Sequence, residues 1–168
     1  MSSPLIITAK LDVSSSAFFD ELRRRHFPPE RNFLSAHVTL FHHLPGDEIV
    51  AVEDALRTVA SSWTTIELKF SNARFLGRGT AIGIESAELN ALRGKLADEW
   101  RSLLTKQDSQ KFKPHITVQN KVAPEEAKIL FERLKNDWKV KIGKAVGLQL
   151  WHYRNGPWEL VKEFAFAG

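Results

Sequence analysis

The sequence lacks cysteine entirely, and it contains no long hydrophobic run. Without a thiol, the chain cannot form a disulfide, a thiolate zinc site or a cysteine nucleophile. No stretch approaches the 18 or more apolar residues of a membrane-spanning helix, and the first residues do not resemble a signal peptide. We therefore expect a cytoplasmic protein that does not bind a membrane.

A strong charge of one sign is also missing. The chain has 24 Lys and Arg against 20 Asp and Glu, which gives a formal net charge of +4 at pH 7. This excess permits an anionic ligand, but it is too small to indicate a nucleic-acid-binding protein. The 168 residues are enough for one domain with a large core, and a monomer is expected.

Short β-branched segments alternate with segments of helical periodicity along the chain. Apolar residues that recur every three or four positions predict helices, and short apolar or alternating runs predict the strands between them. The order β-α-β-α-β occurs twice and one strand is added at the end, which predicts an α+β fold. The predicted strands are residues 4–11, 37–44, 65–76, 80–86, 115–119, 140–153 and 158–166.

The two halves of the chain match at a nearly constant offset. Arg78 and Arg154, in equivalent connections, are 76 positions apart, and several strand and helix positions show the same spacing. This predicts a single domain, residues 1–168, built from duplicated units at about 4–78 and 79–168. The units would be two lobes related by pseudo-twofold symmetry around a central active-site cleft. The alternative is chance, because any α/β chain of this size alternates its elements.

A His-apolar-Thr-apolar motif occurs at equivalent positions of both halves. Residues 37–40 read HVTL and residues 115–118 read HITV. In a strand, side chains at i and i+2 point to the same face, so each histidine shares a face with its threonine. One such motif is more typical of a structural histidine. Two symmetric copies would bring two imidazoles and two hydroxyls to opposite sides of one cleft.

Two histidines and two threonines are suited to in-line phosphoryl chemistry. With an ordinary pKa near 6.5, one imidazole can be neutral and the other protonated near pH 7. One can remove a proton from the attacking oxygen while the other protonates the leaving oxygen. The hydroxyls can donate to the non-bridging phosphate oxygens. We therefore predict that His37, Thr39, His115 and Thr117 are catalytic, in a scheme that needs neither a metal nor another cofactor.

The paired motifs and the repeated layout resemble the 2H phosphoesterase superfamily, which includes the 2′-5′ RNA ligase-like proteins, over essentially the whole chain. The resemblance implies metal-independent cleavage or formation of phosphoester bonds in 2′,3′-cyclic phosphates, ADP-ribose cyclic phosphate or 2′-5′-linked oligonucleotides. It also implies that His37 protonates the leaving 3′ oxygen and that His115 activates water, although the symmetry makes the two roles exchangeable.

Other residues are candidates for substrate binding. Arg78 and Arg154 can hold a phosphate, or they can be solvated residues at hairpin tips. Phe41, on the face of the first motif, and Tyr153 can stack on a base, although aromatic residues in strands usually belong to the core.

Residues that flank the motifs are further candidates. Strict strand alternation places His43 on the face of the first motif, where it can border the site. The same alternation sends His42 to the opposite face, which makes the adjacent pair a poor metal site. Lys111 and Lys113 precede the second motif and can steer an anion toward it, or they can be solvated loop residues.

Three functions fit these observations. The first is hydrolysis of a cyclic phosphate on a small nucleotide or an RNA terminus. The second is the joining of RNA ends, which is the reverse of the same chemistry. The third is a nucleotide-binding module without turnover. The small net charge favours a small substrate over long RNA.

Overall fold

The computed structural model describes residues 2–168, which form four α helices and seven β strands. The α+β prediction is confirmed, and the strand boundaries lie within a few residues of those expected. The strands are β1 Leu5–Leu11, β2 Val38–Leu44, β3 Ile66–Phe75, β4 Thr80–Glu85, β5 His115–Gln119, β6 Lys141–Tyr153 and β7 Trp158–Ala165. The helices are α1 Val13–His26, α2 Ile49–Ser62, α3 Ala87–Glu99 and α4 Pro124–Asp137.

Two helix starts illustrate how local sequence sets the elements. Asp12 caps α1 by accepting a hydrogen bond from the backbone N–H of Ser15 at 3.2 Å. The other oxygen of this carboxylate accepts from the N–H of Lys144 at 2.9 Å, which fastens the start of α1 to β6. At α4, Pro124 occupies the first turn, where its missing N–H removes no helical hydrogen bond.

The strands form one antiparallel sheet in the order β2-β1-β6-β3-β4-β5, and β7 pairs with β6. On one edge, β6 pairs with β3 along its first part and with β7 along its second part. The order stays the same when β1, β2 and β3 are exchanged with β4, β5 and β6. This is the pairing that a duplicated chain requires; the duplication and its boundary stay predictions.

The two motif strands lie at opposite ends of this strand order, yet they contact each other. β2 and β5 approach one another, so the twisted sheet bends until its ends meet. Helix α1 of the first half packs against β5 of the second half. Each motif strand is an edge strand, and its histidine and threonine are only partly buried where the two strands meet.

One hydrophobic cluster runs through both halves and supports the motif strands from behind. Val38 and Leu40 of β2 and Ile116 and Val118 of β5 are at most 1% exposed and belong to this cluster. Such burial stabilises the fold by roughly 1.5–3 kcal/mol for each large aliphatic side chain. Within residues 2–168, no helix combines the length and hydropathy that are required to cross a bilayer.

Candidate active site

The motif side chains point as their alternation predicts. The four apolar motif residues are buried, whereas His37, Thr39, His115 and Thr117 are partly exposed. His37 immediately precedes the first residue of β2, and His115 is the first residue of β5. The sheet therefore brings the four predicted catalytic residues together on its open side, at the contact between β2 and β5.

The two histidine rings are held in the same way. Nδ1 of His37 lies 2.8 Å from the carbonyl oxygen of Ser35, and Nδ1 of His115 lies 2.8 Å from that of Lys113. A carbonyl oxygen only accepts, so these contacts place the proton on Nδ1 of both rings. Nδ1 of His115 also lies 3.1 Å from a guanidinium nitrogen of Arg74, which can only donate. That nitrogen has another acceptor in the Lys113 carbonyl at 3.1 Å, and the shorter contact of Nδ1 with the same carbonyl keeps the proton on Nδ1 of His115. Each neutral ring therefore keeps the lone pair on Nε2, which is free to take a proton.

Both motif histidines are poorer bases than an ordinary imidazole. Burial lowers the pKa of His37 to about 4, with the charges of Arg23 and His115 acting in the same direction against the Ser35 carbonyl. Burial also lowers the pKa of His115, and Arg74 adds to the effect. In the free protein both rings are therefore neutral at pH 7, which differs from the expected division into one neutral and one protonated ring.

Each motif histidine shares a cavity with the threonine of the other motif. His37 and Thr117 line a cavity of about 390 Å³, and His115 and Thr39 line one of about 420 Å³. Each cavity therefore combines the imidazole of one half of the chain with the hydroxyl of the other half. Such a constellation can transfer protons and donate hydrogen bonds to phosphate oxygens.

Two buried arginines fix the backbone of the motif strands from the opposite halves. Arg23 of α1 donates to the carbonyl of Thr117 at 2.8 Å. Arg93 of α3 donates to the carbonyl of Leu40 at 3.1 Å and to that of Asp108 at 2.6 Å. Burial lowers the pKa of Arg23 to about 10, so it remains charged at pH 7. Neither arginine was identified from the sequence, because each lies in a helix far from the motif that it contacts.

The side of the site next to His37 is aromatic. The His37 ring packs against Trp158 with a centroid distance of 5.0 Å, and Trp158 lies 6.0 Å from Trp151. These three residues line a further cavity of about 440 Å³. Tyr153 lines the cavity that holds His37 and Thr117, so it lies where the sequence placed it; its role in stacking stays a prediction.

Phe41 and His43 do not lie where strict alternation placed them. In the pairing of β2 with β1, Phe41 faces Ile7 and Thr39 faces Thr8, so Leu40 is an extra residue that forms a β-bulge. Phe41 is therefore 0% exposed, which contradicts the prediction that it stacks on a base.

After the bulge, the alternation of β2 is shifted by one residue. The Phe41 ring packs against Trp100 at 5.0 Å and under the guanidinium of Arg93 at 4.3 Å. It is His42, not His43, that lines the cavity of Thr39 and His115. The prediction that His43 borders the site is therefore wrong, because the bulge places His42 in that position instead.

Arg78 and Arg154 do not line the cavities of the motif residues. Arg154 forms an ion pair with Glu159 at 2.7 Å and donates to the hydroxyl of Ser3 at 2.7 Å, which braces the connection between β6 and β7. Arg78 is exposed in the connection between β3 and β4, and its carbonyl accepts from Val122. Neither lines a cavity of the motif residues, so the structure does not support their predicted binding role.

A buried carboxylate organises the cavity of Thr39 and His115. The side chain of Asp108 is 1% exposed and accepts hydrogen bonds from the backbone N–H groups of His42 and His43 at 2.9 and 3.0 Å. It also lies 3.0 Å from Nδ1 of His42. This His42–Asp108 pair joins residues that are 66 positions apart, and the only sequence signal was the polar loop in which Asp108 lies.

Comparisons with known proteins agree with this fold. TT0787 of Thermus thermophilus has a TM-score of 0.69 and 17% identity, with 98% of each chain covered. The structure of E. coli LigT complexed with 3′-AMP has a TM-score of 0.60 and 14% identity, with 100% of each chain covered. LigT complexed with ATP has a TM-score of 0.60 and 17% identity, with 99% of this chain and 100% of that chain covered. At these identities, the likeness shows the fold.

A family model described as the 2′-5′ RNA ligase superfamily matches residues 11–157. No curated protein matches the chain. The family match spans most of the sequence and includes both motifs, which confirms the resemblance to the 2H phosphoesterases. The chain therefore belongs to the 2′-5′ RNA ligase superfamily.

Proposed function

We propose that the protein is a metal-independent phosphodiesterase that hydrolyses a 2′,3′-cyclic phosphate, or a related cyclic or 2′-5′ phosphodiester, of a small nucleotide or an RNA terminus. The observation that carries this proposal is the matched geometry of the two histidines. In each ring, Nδ1–H donates to the carbonyl oxygen of the residue two positions earlier, which leaves Nε2 free. Each ring also lines a cavity together with the threonine of the other motif.

The reaction needs one proton acceptor and one proton donor. Nε2 of one histidine takes a proton from water as its oxygen attacks phosphorus, and the bond from phosphorus to the leaving ribose oxygen breaks. Nε2–H of the other, protonated histidine gives its proton to that oxygen. Thr39 and Thr117 donate to the non-bridging oxygens, where negative charge increases. The product is a phosphomonoester, and proton exchange with solvent restores both rings.

The substrate itself supports the required protonation. In the free protein, burial keeps both rings neutral at pH 7. A phosphate anion bound between the rings raises the pKa of both, because an opposite charge favours the imidazolium form. Either ring can then hold the proton that the acid must give, and the roles of His37 and His115 stay exchangeable.

Nucleotide binding is supported by two further observations. The structural relative LigT is solved with 3′-AMP and with ATP. In this chain, Trp151 and Trp158 form an aromatic wall beside His37 on which a base can stack, and stacking contributes roughly 1–3 kcal/mol per base.

An assay on nucleoside 2′,3′-cyclic phosphates in the presence of EDTA tests the proposal. Replacing His37 or His115 with alanine is expected to lower kcat by at least about 100-fold, because each removes an acid or a base. Thr39→Val is expected to lower kcat by roughly 100-fold, because it removes a hydrogen-bond donor to the phosphate. His43→Ala is the matched control and should turn over normally. Unchanged turnover in both motif variants would show that the two-histidine mechanism is wrong.

The same assay separates the other two functions. Adding an RNA with a free 5′ hydroxyl tests end joining, since a longer product then forms at the expense of the hydrolysed one. A protein that only binds nucleotides gives a measurable dissociation constant and no product after long incubation. Either result would replace the hydrolase proposal.

A further inference from the structure

His37 is held by a peptide unit that is itself held by a carboxylate. Nδ1–H of His37 donates to the carbonyl oxygen of Ser35 at 2.8 Å. The N–H of the same peptide unit belongs to Ala36, and it donates to Oδ1 of Asp20 on α1. One planar peptide unit therefore lies between the carboxylate and the imidazole, with a hydrogen bond on each side.

Two hydrogen bonds that share one peptide unit reinforce each other. A carboxylate that accepts from the N–H polarises the amide, so the carbonyl oxygen becomes a stronger acceptor. The Ser35 carbonyl therefore holds Nδ1–H of His37 more firmly, and it favours the imidazolium form, which is the better donor. This effect opposes the burial that lowers the pKa of His37, although burial is the larger of the two. Asp20 can thus act on the ring through Ala36 without touching it.

The charge of Asp20 is not neutralised by an ion pair. Among residues 2–168, no basic side chain lies within ion-pair distance of its carboxylate. Arg23 is close enough to feel this charge, but it donates to the side chain of Asn32 at 3.2 Å and to the carbonyl of Thr117 at 2.8 Å. Helix α1 thus fixes both ends of the segment before β2, with Arg23 at Asn32 and Asp20 at Ala36.

The equivalent peptide unit of the second motif is built differently. Its carbonyl belongs to Lys113 and its nitrogen to Pro114, which has no N–H, so a carboxylate cannot act on it in the same way. Instead, a guanidinium nitrogen of Arg74 lies 3.1 Å from the Lys113 carbonyl and 3.1 Å from Nδ1 of His115. One motif histidine therefore has an anion behind its peptide unit, and the other has a cation beside its ring.

We propose that Asp20 is a positioning residue for His37 that acts through the peptide unit of Ser35 and Ala36. This role rests on the proposed function, in which His37 transfers a proton, and deepens it by naming the group that controls this ring. Asp20 keeps the proton of the neutral ring on Nδ1 and supports the protonated ring during turnover. His115 lacks such support, because Pro114 offers no N–H.

NMR of the histidine rings at pH 7 tests this role without a substrate. Asp20→Asn keeps an acceptor for the N–H of Ala36 but loses the charge, so the Nδ1–H tautomer of His37 should persist while its Nδ1 proton moves upfield. Asp20→Ala removes the acceptor, so the ring nitrogen-15 shifts of His37 should move toward those of mixed tautomers. The His115 signals serve as the internal reference and should stay in place.

Glu21→Gln is the matched control for these two variants. It also removes a negative charge from α1, but Glu21 is paired with the exposed side chains of Arg24 and Arg25. The His37 signals should therefore be the same in Glu21→Gln and in the wild type.

Turnover of adenosine 2′,3′-cyclic phosphate supplies a second measurement. Asp20→Asn should lower kcat by about tenfold, which corresponds to a change of about 1 in the pKa of the ring that must hold the proton. Asp20→Ala should lower it further, since the peptide unit also loses its hydrogen bond. KM should change by less than about threefold in both variants, because the proposed effect is on proton transfer.

Wild-type His37 signals in both Asp20 variants would overturn the positioning role. A rise in KM with unchanged kcat in Asp20→Asn would overturn it as well, because Asp20 would then contact the substrate in the cavity that it lines. If Asp20→Ala fails to fold, the Nδ1 proton of His37 in Asp20→Asn decides. A wild-type protein without turnover would refute the proposed function, and the NMR signals would then decide the positioning role by themselves.

Discussion

At the scale of single residues, the site depends on how each motif histidine is held. The carbonyl groups of Ser35 and Lys113 fix the tautomer of His37 and His115 without adding a charge. Many histidine bases are oriented by a carboxylate, which raises the pKa of the ring. Here no carboxylate lies against either motif ring in the part of the chain that the structure describes, so burial lowers both pKa values.

The dependence of kcat/KM on pH should show this lowering. The profile reports the pKa values of the free enzyme. The base is lost as the pH falls through the lower of the two pKa values, and the acid is lost as the pH rises through the higher one. Both values lie below 6.5, and that of His37 is about 4, whichever ring takes each role. We expect a bell-shaped profile with its optimum below pH 6.5. An optimum above pH 7 in the wild type would contradict these environments.

Stability should also depend on His37. Its pKa is near 6.5 in an unfolded chain but about 4 in the folded protein, so the unfolded chain binds more protons between these values. The contribution of the neutral His37 ring to the unfolding free energy is complete above pH 6.5 and is lost as the pH falls toward 4. The unfolding free energy of the wild type should therefore fall between pH 6.5 and pH 4. In His37→Asn this fall should be smaller by about 1–3 kcal/mol, measured by urea titration at both pH values. An equal decline in both proteins would contradict the prediction.

At the scale of elements, the bulge in β2 decides which histidine enters the site. The extra residue shifts the alternation after Thr39, so that Phe41 turns inward and His42 turns into the cavity. The loop before β5 is then attached to β2 through Asp108 and Arg93. A strand irregularity and a loop from the other half of the chain thus form one wall of the site together.

Removing the Asp108 carboxylate should release this loop. The Asp108 carboxylate offers two acceptor oxygens to the backbone N–H groups of His42 and His43, whereas an asparagine offers one. At least one of these hydrogen bonds is therefore lost in the variant. We expect Asp108→Asn to lower the unfolding free energy by about 2 kcal/mol and to speed amide exchange at His42 and His43. Asp98→Asn is the control, because Asp98 is an exposed residue of α3 that is paired only with the exposed Arg101 after the helix. Its effect should stay below about 0.5 kcal/mol.

Arg93 should be as important to this wall as Asp108. Its side chain is 8% exposed, donates to two carbonyls and covers the faces of Phe41 and Phe112 at 4.3 and 5.1 Å. We expect Arg93→Met to lower the unfolding free energy by about 2–4 kcal/mol, because two carbonyls lose a charged donor. A loss as small as that of an exposed arginine variant such as Arg101→Met would contradict this role.

At the scale of the whole molecule, neither half completes its own part of the sheet. In the first half, β1 pairs with β6 of the second half, and β3 pairs with β4 and β6. The hydrophobic cluster likewise contains residues of both halves. The two predicted units are therefore structurally interdependent, although each contributes one motif.

This interdependence predicts one cooperative unfolding transition. Tryptophan fluorescence and far-ultraviolet circular dichroism should follow the same curve in urea. Separate fragments of residues 1–78 and 79–168 should each remain unfolded, because strands of each fragment pair with strands of the other fragment. Mixing the fragments should restore structure. Two separate transitions in the intact chain, or a fragment that folds alone, would contradict this view.

Much of the fold and the centre of the site follow from local sequence patterns. Strand and helix periodicity placed the elements, and the two motifs placed His37, Thr39, His115 and Thr117 on one face of their strands. Local patterns are informative here because a strand repeats every two residues and a helix every 3.6. Phe41 and His43 were misplaced because a bulge changes the period of two without a signal in the sequence.

The sequence by itself therefore determined the order of elements, the pair of motifs and, with the family match, the superfamily. Only the tertiary structure decided which residues surround the motifs. Arg23 contacts Thr117 across 94 positions, and His42 contacts Asp108 across 66. Such contacts depend on how the sheet bends and on which buried polar groups need a partner, and both are set by packing of the whole chain.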